Sequence, residues 1–288
     1  MQQLSNISNI KEILSRHGFT FSKSLGQNFL INPGVCPRMA QEGGAGKGMG
    51  VIEIGPGIGV LTCELAKRAD KVVAIELDKR LLPVLDETLR DFDNVRVLNQ
   101  DVLKTDLKKL IKEEFPGMPV CVCANLPYYI TSPVIMKLLE ERLPVESVTV
   151  MVQKEAAQRI CAEAGTRECG AVTIAVRYYA QPRVLFSVSA GSFMPAPKVD
   201  SAVIRLDVHQ TTPFKVTDEK LFFKAVKSAF AQRRKTLPNA LSAGLSLEKG
   251  TINALLTNAG IPLNFRAEQL SMEQFAQIAN SLAAGGQD

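Results

Sequence analysis

The sequence predicts a doubly wound α/β domain followed by a small all-helical one, and three observations carry that expectation. Short, apolar, β-branched runs recur at 51–54, 72–75, 95–98, 119–124 and 147–152, and the segments between them carry helical spacing. A turn with glycines at 55, 57 and 59 leaves the first run where a helix should begin. Polar residues then recur at the ends of successive runs, from Glu53 to Glu76, Asp101 and Asn125, at steps of 23, 25 and 24 residues. Each step is about one βα unit. Runs this apolar are expected where helices cover both faces of a parallel sheet, and ligands bind at the carboxyl ends of its strands.

The elements follow in order. Ile10, Ile13 and Leu14, after Asn9 with Glu12 three residues on, predict a short capped helix ending near Gly18. The glycine-rich stretch 43–50 contains Gly46-Lys47, but a P-loop needs Ser or Thr next and a glycine five residues before Gly46. Gly48 and Gln41 stand there instead, so this is a loop. Leu61, Leu65 and Ala66 mark the helix after the first strand. Leu81, Leu82, Leu85 and Leu89 mark the next, with Pro83 tolerable only in its first turn. Residues 171–179 suit a strand by composition and a helix by length. Residues 199–208 read as a strand that ends the sheet. Beyond Thr211-Thr212-Pro213 three helices are expected. The first buries Phe222, Ala225, Val226, Ala229 and Phe230; the second, with Ile252, Leu255 and Leu256, closes at Gly260. The third is capped by Ser271 with Gln274 and carries Phe275, Ile278 and Leu282, and the tail from Gly285 is expected to fray. The domains divide as 1–210 and 211–288.

Composition narrows the class. With 46% hydrophobic and 22% charged residues the chain builds its own core. No run approaches eighteen apolar residues and the start lacks a basic stretch followed by an apolar one, so neither a membrane span nor a secretory signal is expected. The six cysteines form no C-x-x-C pair and there are only two histidines, His17 and His209. That argues against a disulfide scaffold and structural zinc, and for reduced thiols in the cytoplasm. The net charge of +5 is small, but Phe214–Leu237 holds seven basic and two acidic residues and so matches the excess of the whole chain. Lys220, Lys224 and Lys227 fall opposite the apolar stripe, and Arg233, Arg234 and Lys235 follow. Lys224, Lys227 and those three make a candidate phosphate-binding surface.

The chemistry is read from two motifs. Glycines at a strand exit let backbone approach a ligand closely. Position 60 is Val, so the third glycine comes one residue too early for a dinucleotide fingerprint, against a nicotinamide dehydrogenase. An acid after the second strand, Glu76, suits the hydroxyls of a ribose, and Asp101 an adenine amino group. In Asn125-Leu126-Pro127-Tyr128-Tyr129 an amide oxygen and a proline-fixed carbonyl could accept both hydrogens of an exocyclic amine while an aromatic stacks on its ring. That arrangement aims the nitrogen lone pair at an electrophile by positioning and electrostatics.

These segments resemble the motifs of S-adenosylmethionine-dependent adenine-N6 methyltransferases. Gly26-Gln-Asn-Phe-Leu30 and Phe193-Met-Pro-Ala-Pro-Lys-Val-Asp-Ser201 further resemble the ribosomal RNA adenine dimethylase family. Phe230-Ala-Gln-Arg-Arg-Lys-Thr-Leu237 is similar to its small-subunit (16S) branch, the dimethyladenosine transferases whose loss gives kasugamycin resistance. The likeness runs from about Ser24 to Leu237 and departs at Asn32, where the family usually has Asp. It implies a Rossmann-like methyltransferase domain with a helical C-terminal domain. S-adenosylmethionine would be held at Asn28, Leu30, Gly55, Gly57, Glu76, Asp101 and Asn125 and leave as S-adenosylhomocysteine. Asn125, Leu126 and Pro127 would form the amine-accepting turn, and Tyr128 would stack on the target adenine. The implied reaction is N6,N6-dimethylation of two adjacent adenines in the 3′-terminal hairpin of 16S ribosomal RNA. It would take place in an immature small subunit, catalysed by a monomer that needs no metal. The rivals are a large-subunit methylase, disfavoured by the Gln-Arg-Arg-Lys-Thr-Leu segment, and a non-catalytic assembly or transcription factor, disfavoured by the intact Asn-Leu-Pro-Tyr turn.

Overall fold

A computed structural model of the chain describes residue 4 and residues 6–19 and 28–285. Residues 26 and 27 of the Gly-Gln-Asn-Phe-Leu motif and the tail 286–288 lie outside the described residues. Helix α1 (Ile7–Arg16) is capped by Asn6, whose side chain accepts from the Ser8 N–H at 2.9 Å. The expected cap, Asn9, is already inside the helix, one turn too late to meet its orphan N–H groups. The predicted end is right: His17 caps it and Gly18 follows at φ +61°. Ile10, Ile13 and Leu14 pack with Leu81, Val84 and Leu85. Arg16 Nη1 and His17 Nε2 each meet the Glu87 carboxylate at 2.7 Å, and the His17 bond holds that carboxyl below its ordinary range.

The central sheet is built from β2 (Gly50–Ile54), β3 (Lys71–Glu76), β4 (Val95–Asn99), β5 (Val120–Asn125) and β6 (Ser147–Gln153), with β7 (Ala180–Val188) and β9 (Ser201–Val208) added late. A separate pair joins β1 (Phe29–Leu30) to β8 (Phe193–Met194). Helices α2 (Val35–Glu42), α3 (Val60–Ala66), α4 (Leu82–Thr88), α5 (Leu107–Glu114) and α6 (Thr131–Glu140) intervene. The sheet order is β4-β3-β2-β5-β6-β9-β7. β2 pairs in parallel with β3 on one side and β5 on the other, so the strand order reverses at β2 and opens a crevice there. β2 is buried along its whole length, as a strand covered on both faces must be. Pro83 stands in the first turn of α4, as expected.

Two expectations change. The last strand of the chain, β9, does not form the sheet's edge; it pairs antiparallel with β6, from Gln153↔Ser201 to Ser147↔Asp207, and β7 lies outside it. The half-exposed β7 tolerates the edge, while β9 buries its first four residues. Residues 171–179 form a helix, α8 (Ala171–Tyr179), after α7 (Lys154–Ile160). The Gly170 N–H donates to Thr173 Oγ1 at 2.9 Å, and Thr173, Ile174, Ala175 and Val176 are buried in succession, without the alternation of a strand.

The chain forms two compact units, residues 1–157 with 182–208 and residues 158–181 with 209–288. The units divide at 208/209, and 158–181, assigned by sequence to the first domain, belongs to the second unit. Its Tyr178 ring stands 5.0 Å from Phe222, and Tyr179 Oη donates to Glu219 at 2.6 Å. The second unit also holds α9 (Glu219–Ala231), α10 (Leu237–Leu245), α11 (Lys249–Asn258) and α12 (Met272–Gly285). Of these α10 was not expected. Pro238 stands in its first turn, where a missing N–H costs nothing. Gly244 lets it meet α9 closely, since a Cβ there would stand 2.4 Å from that of Ser228. Ser271 and Gln274 bond reciprocally at 3.0 and 3.2 Å and cap α12 as predicted. Among the described residues no helix is long and apolar enough to cross a membrane.

Candidate active site

The crevice at β2 holds a cavity of about 330 Å³, at the small end of the range for ligand pockets. Its floor is the glycine turn. Gly55, Gly57 and Gly59 have φ of +71°, +59° and +88°, a region that other residues avoid. Space is short as well, because a Cβ on Gly57 would come within 3.3 Å of the Phe29 ring. The β1–β8 pair, with Phe29↔Met194 and Leu30↔Phe193 in register, therefore presses on the turn and brings two distant sequence motifs to one wall. At Asn32 the side-chain amide donates to Ser192 Oγ at 3.2 Å while its oxygen accepts from the Gly34 N–H at 3.0 Å. An Asp here would have to accept both bonds, with the Ser192 hydroxyl turned round to donate, so the departure from the family pattern reverses the direction of this link.

Glu76 ends β3 with its side chain buried. One carboxylate oxygen accepts from the Gly57 N–H at 3.3 Å and the other from the Asp78 N–H at 2.8 Å. Burial nonetheless pushes this carboxyl above its ordinary range. Glu76 thus braces the glycine turn besides lining the cavity. Glu53, which the sequence counted first among the recurring polar residues but gave no role, is 1% exposed and lines the same cavity. Its Oε2 has no hydrogen-bond partner among the described residues. Burial, opposed by the nearby Thr62 hydroxyl and helped by the Glu76 charge, pushes its carboxyl up to about 8. An acid inside the otherwise apolar Val51-Ile52-Glu53-Ile54 run was the signal.

Asp101 follows β4 and lines the cavity, and its Oδ1 accepts from the Leu103 N–H at 3.0 Å. It thus also caps its own turn. Asn125 ends β5 opposite Met151. The Ile130 N–H donates to the Pro127 carbonyl at 3.1 Å, closing a four-residue turn, and Thr131 Oγ1 adds a bond at 3.3 Å. Tyr128 Oη lies 2.7 Å from Ser201 Oγ, which ties this turn to the end of the Phe193–Ser201 motif. Asn28, Leu30, Gly55, Gly57, Glu76 and Asp101 thus share one cavity with Asn125, Leu126, Pro127 and Tyr128. Neither histidine lines it. Cys36 does, but burial pushes its thiol far up, so it stays protonated and weakly nucleophilic.

The five basic candidates belong to the second unit. Lys224 and Lys227 are exposed on α9, opposite its buried Phe222, Ala225, Val226 and Ala229. Arg233, Arg234 and Lys235 are exposed just beyond it, and Arg233 Nη2 donates to the Arg167 carbonyl at 3.3 Å.

Residues 18–284 match the family described as Ribosomal RNA adenine dimethylase. The chain is 51% identical over 284 residues to a Ribosomal RNA small subunit methyltransferase A from Alkaliphilus oremlandii, covering 98% of this chain and 99% of the relative. A protein of the same name from Bacillus mycoides is 49% identical over 286 residues, with 98% of both chains covered. Among solved structures it is similar to a dimethyladenosine transferase from Plasmodium falciparum, with a TM-score of 0.75 and 25% identity over 90% of this chain and 98% of that one. The 23S rRNA methyltransferase ErmE gives a TM-score of 0.68 and 26% identity over 88% and 99%.

Proposed function

The chain belongs to the ribosomal RNA adenine dimethylase family, and from that membership we propose that it dimethylates N6 of two adjacent adenines in the 3′-terminal hairpin of 16S ribosomal RNA. It is a ribosomal RNA adenine methyltransferase, and the small-subunit reading is supported by full-length relatives named small subunit methyltransferases at 49–51% identity. The methyl donor is S-adenosylmethionine, the substrate particle an immature small subunit, and the enzyme a cytoplasmic monomer that uses no metal. The observation that carries the reading is that the Asn125–Tyr128 turn opens on the same cavity as the glycine turn and Glu76.

The residues fit such a donor. A cradle of left-handed glycines beneath Phe29 admits backbone contact, and the buried Glu53 carboxyl offers an unpartnered oxygen. When bound, S-adenosylmethionine supplies a methyl group on a positively charged sulfur. Glu76 accepts from the ribose hydroxyls, Asp101 from the adenine amine, and Asn28, Leu30, Gly55 and Gly57 complete the contact. The Pro127 carbonyl is occupied within its own turn, so the carbonyl that accepts from the substrate amine is that of Leu126, beside the Asn125 amide oxygen. Tyr128, with its hydroxyl anchored on Ser201, stacks on the adenine, which must leave its neighbours to enter. Two acceptors on the amine aim its lone pair, and the surplus proton leaves to water. Lys224, Lys227, Arg233, Arg234 and Lys235 hold RNA phosphates.

Tritiated methyl transfer to unmethylated small and large subunits, with mapping of the labelled bases, tests the reading. Label on two adjacent small-subunit adenines is expected. Label confined to the large subunit, or none, would overturn it.

A further inference from the structure

Tyr129 stands beside Tyr128 in the closed turn from Pro127 to Ile130, yet the two rings are placed differently. Tyr128 is half-buried and tethered through its hydroxyl to Ser201 at 2.7 Å. Tyr129 is 59% exposed and also lines the cavity. Of the eight large hydrophobic side chains exposed among the described residues, three, Leu77, Leu103 and Tyr129, border this one cavity. Tyr129 is the aromatic member, and the backbone bond from Ile130 to Pro127 holds it in the same rigid turn as the amine acceptors. Exposing a tyrosine ring costs burial that a polar residue at a turn position would not forgo. A planar partner arriving with the substrate would recover it.

The chemistry of the reaction supplies such a partner. Drawing one base out of a strand strips a stacking face from the base next to it, and a ring at the pocket mouth can replace that face. We infer that Tyr129 is the stacking platform for the nucleobase adjacent to the one being methylated, which makes it a positioning residue for the substrate strand. The inference rests on the proposed adenine methylation. With two neighbouring adenines as targets and the strand's polarity fixed, the platform holds one adenine while the other is in the pocket, and the next base along when the register shifts by one. Stacking on a ring tolerates any base, so Tyr129 sets the grip on the strand, and the pocket sets the choice of adenine.

The test uses the full chain with S-adenosylmethionine and small subunits reconstituted from 16S RNA bearing a synthetic 3′ segment. One version carries both adenines and the other an abasic nucleotide next to the single remaining target. Tyr129→Ala is expected to raise KM for the intact particle about tenfold, with kcat little changed, and Tyr129→Phe to behave as wild type. On the abasic particle wild type and Tyr129→Ala should be equally impaired, because ring and base act only as a pair. Tyr129→Leu, which keeps apolar bulk, controls for local folding and should resemble the alanine variant. An unchanged KM, equal loss in the phenylalanine variant, additive losses on the abasic particle, or weakened S-adenosylmethionine binding by calorimetry would each overturn the platform. If wild type transfers no methyl to the intact particle, the functional reading falls first and the platform falls with it.

Discussion

Glu53→Gln tests the physical state of the cavity floor before any substrate is added. The wild-type carboxyl is 1% exposed and one oxygen has no partner among the described residues, so burial lifts it from 4.5 to about 8. At about 1.36 kcal/mol per pH unit, holding the anion there costs roughly 5 kcal/mol, a large share of the 5–15 kcal/mol typical of a domain. The folded state grips this proton more tightly than the unfolded chain does. The favourable contribution is therefore complete below about 4.5, shrinks as pH rises, and is gone by about 8. Gln is neutral at every pH and mimics the protonated acid. Denaturant unfolding of the cofactor-free protein at pH 5, 7 and 9 should find the variant within about 1 kcal/mol of wild type at pH 5. It should then gain on wild type by roughly 3–5 kcal/mol toward pH 9. The ionisable groups that do not interact with Glu53 are common to both proteins and cancel in the difference. Parallel stability profiles across that range would refute a proton held on Glu53.

Three further outcomes concern the site and the proposed RNA-binding surface. Glu76→Ala should weaken S-adenosylmethionine binding by about 1–3 kcal/mol. It should also lower the Tm, because the Gly57 and Asp78 N–H groups lose their acceptor; unchanged affinity in calorimetry would remove Glu76 from the cofactor site. Asn125→Ala should cut single-turnover methylation at saturating cofactor by about two orders of magnitude, since amine alignment acts in the transition state. A near-normal rate would reassign it. Replacing Arg233, Arg234 and Lys235 together by Ala should weaken subunit binding and flatten its salt dependence by about 0.7 per charge, with cofactor affinity unchanged. Wild-type binding across a salt series would return these residues to bracing a helix end.

The sheet was legible because its central strands are buried on both faces, so Val72–Ile75 shows as an unbroken apolar run and Val51–Ile54 as one interrupted only by Glu53. The site was legible for a related reason: parallel strands deliver their polar ends to one crevice, and sequence spacing counts those ends. Helix α10 escaped because Pro238 and Gly244 read as breakers, whereas one occupies a first turn and the other a tight contact with Ser228. The Tyr128–Ser201 bond spans 73 residues and has no local trace. Asp101 was legible as an acid after a strand, but its work in capping its own turn was not, because a side-chain bond two residues away leaves no periodicity.

The interleaving of the units has a consequence for modularity. A chain ended at Val208 would keep residues 158–181, with Tyr178 and Tyr179, but lose Phe222, Phe223 and Glu219, against which those rings close. The orphaned aromatic face would favour aggregation over an independent catalytic fragment. The tail is therefore no detachable accessory. A chimera that exchanges this unit between relatives must carry two stretches, 158–181 and 209 onward, and a crossover placed only at 209 separates residues that pack together.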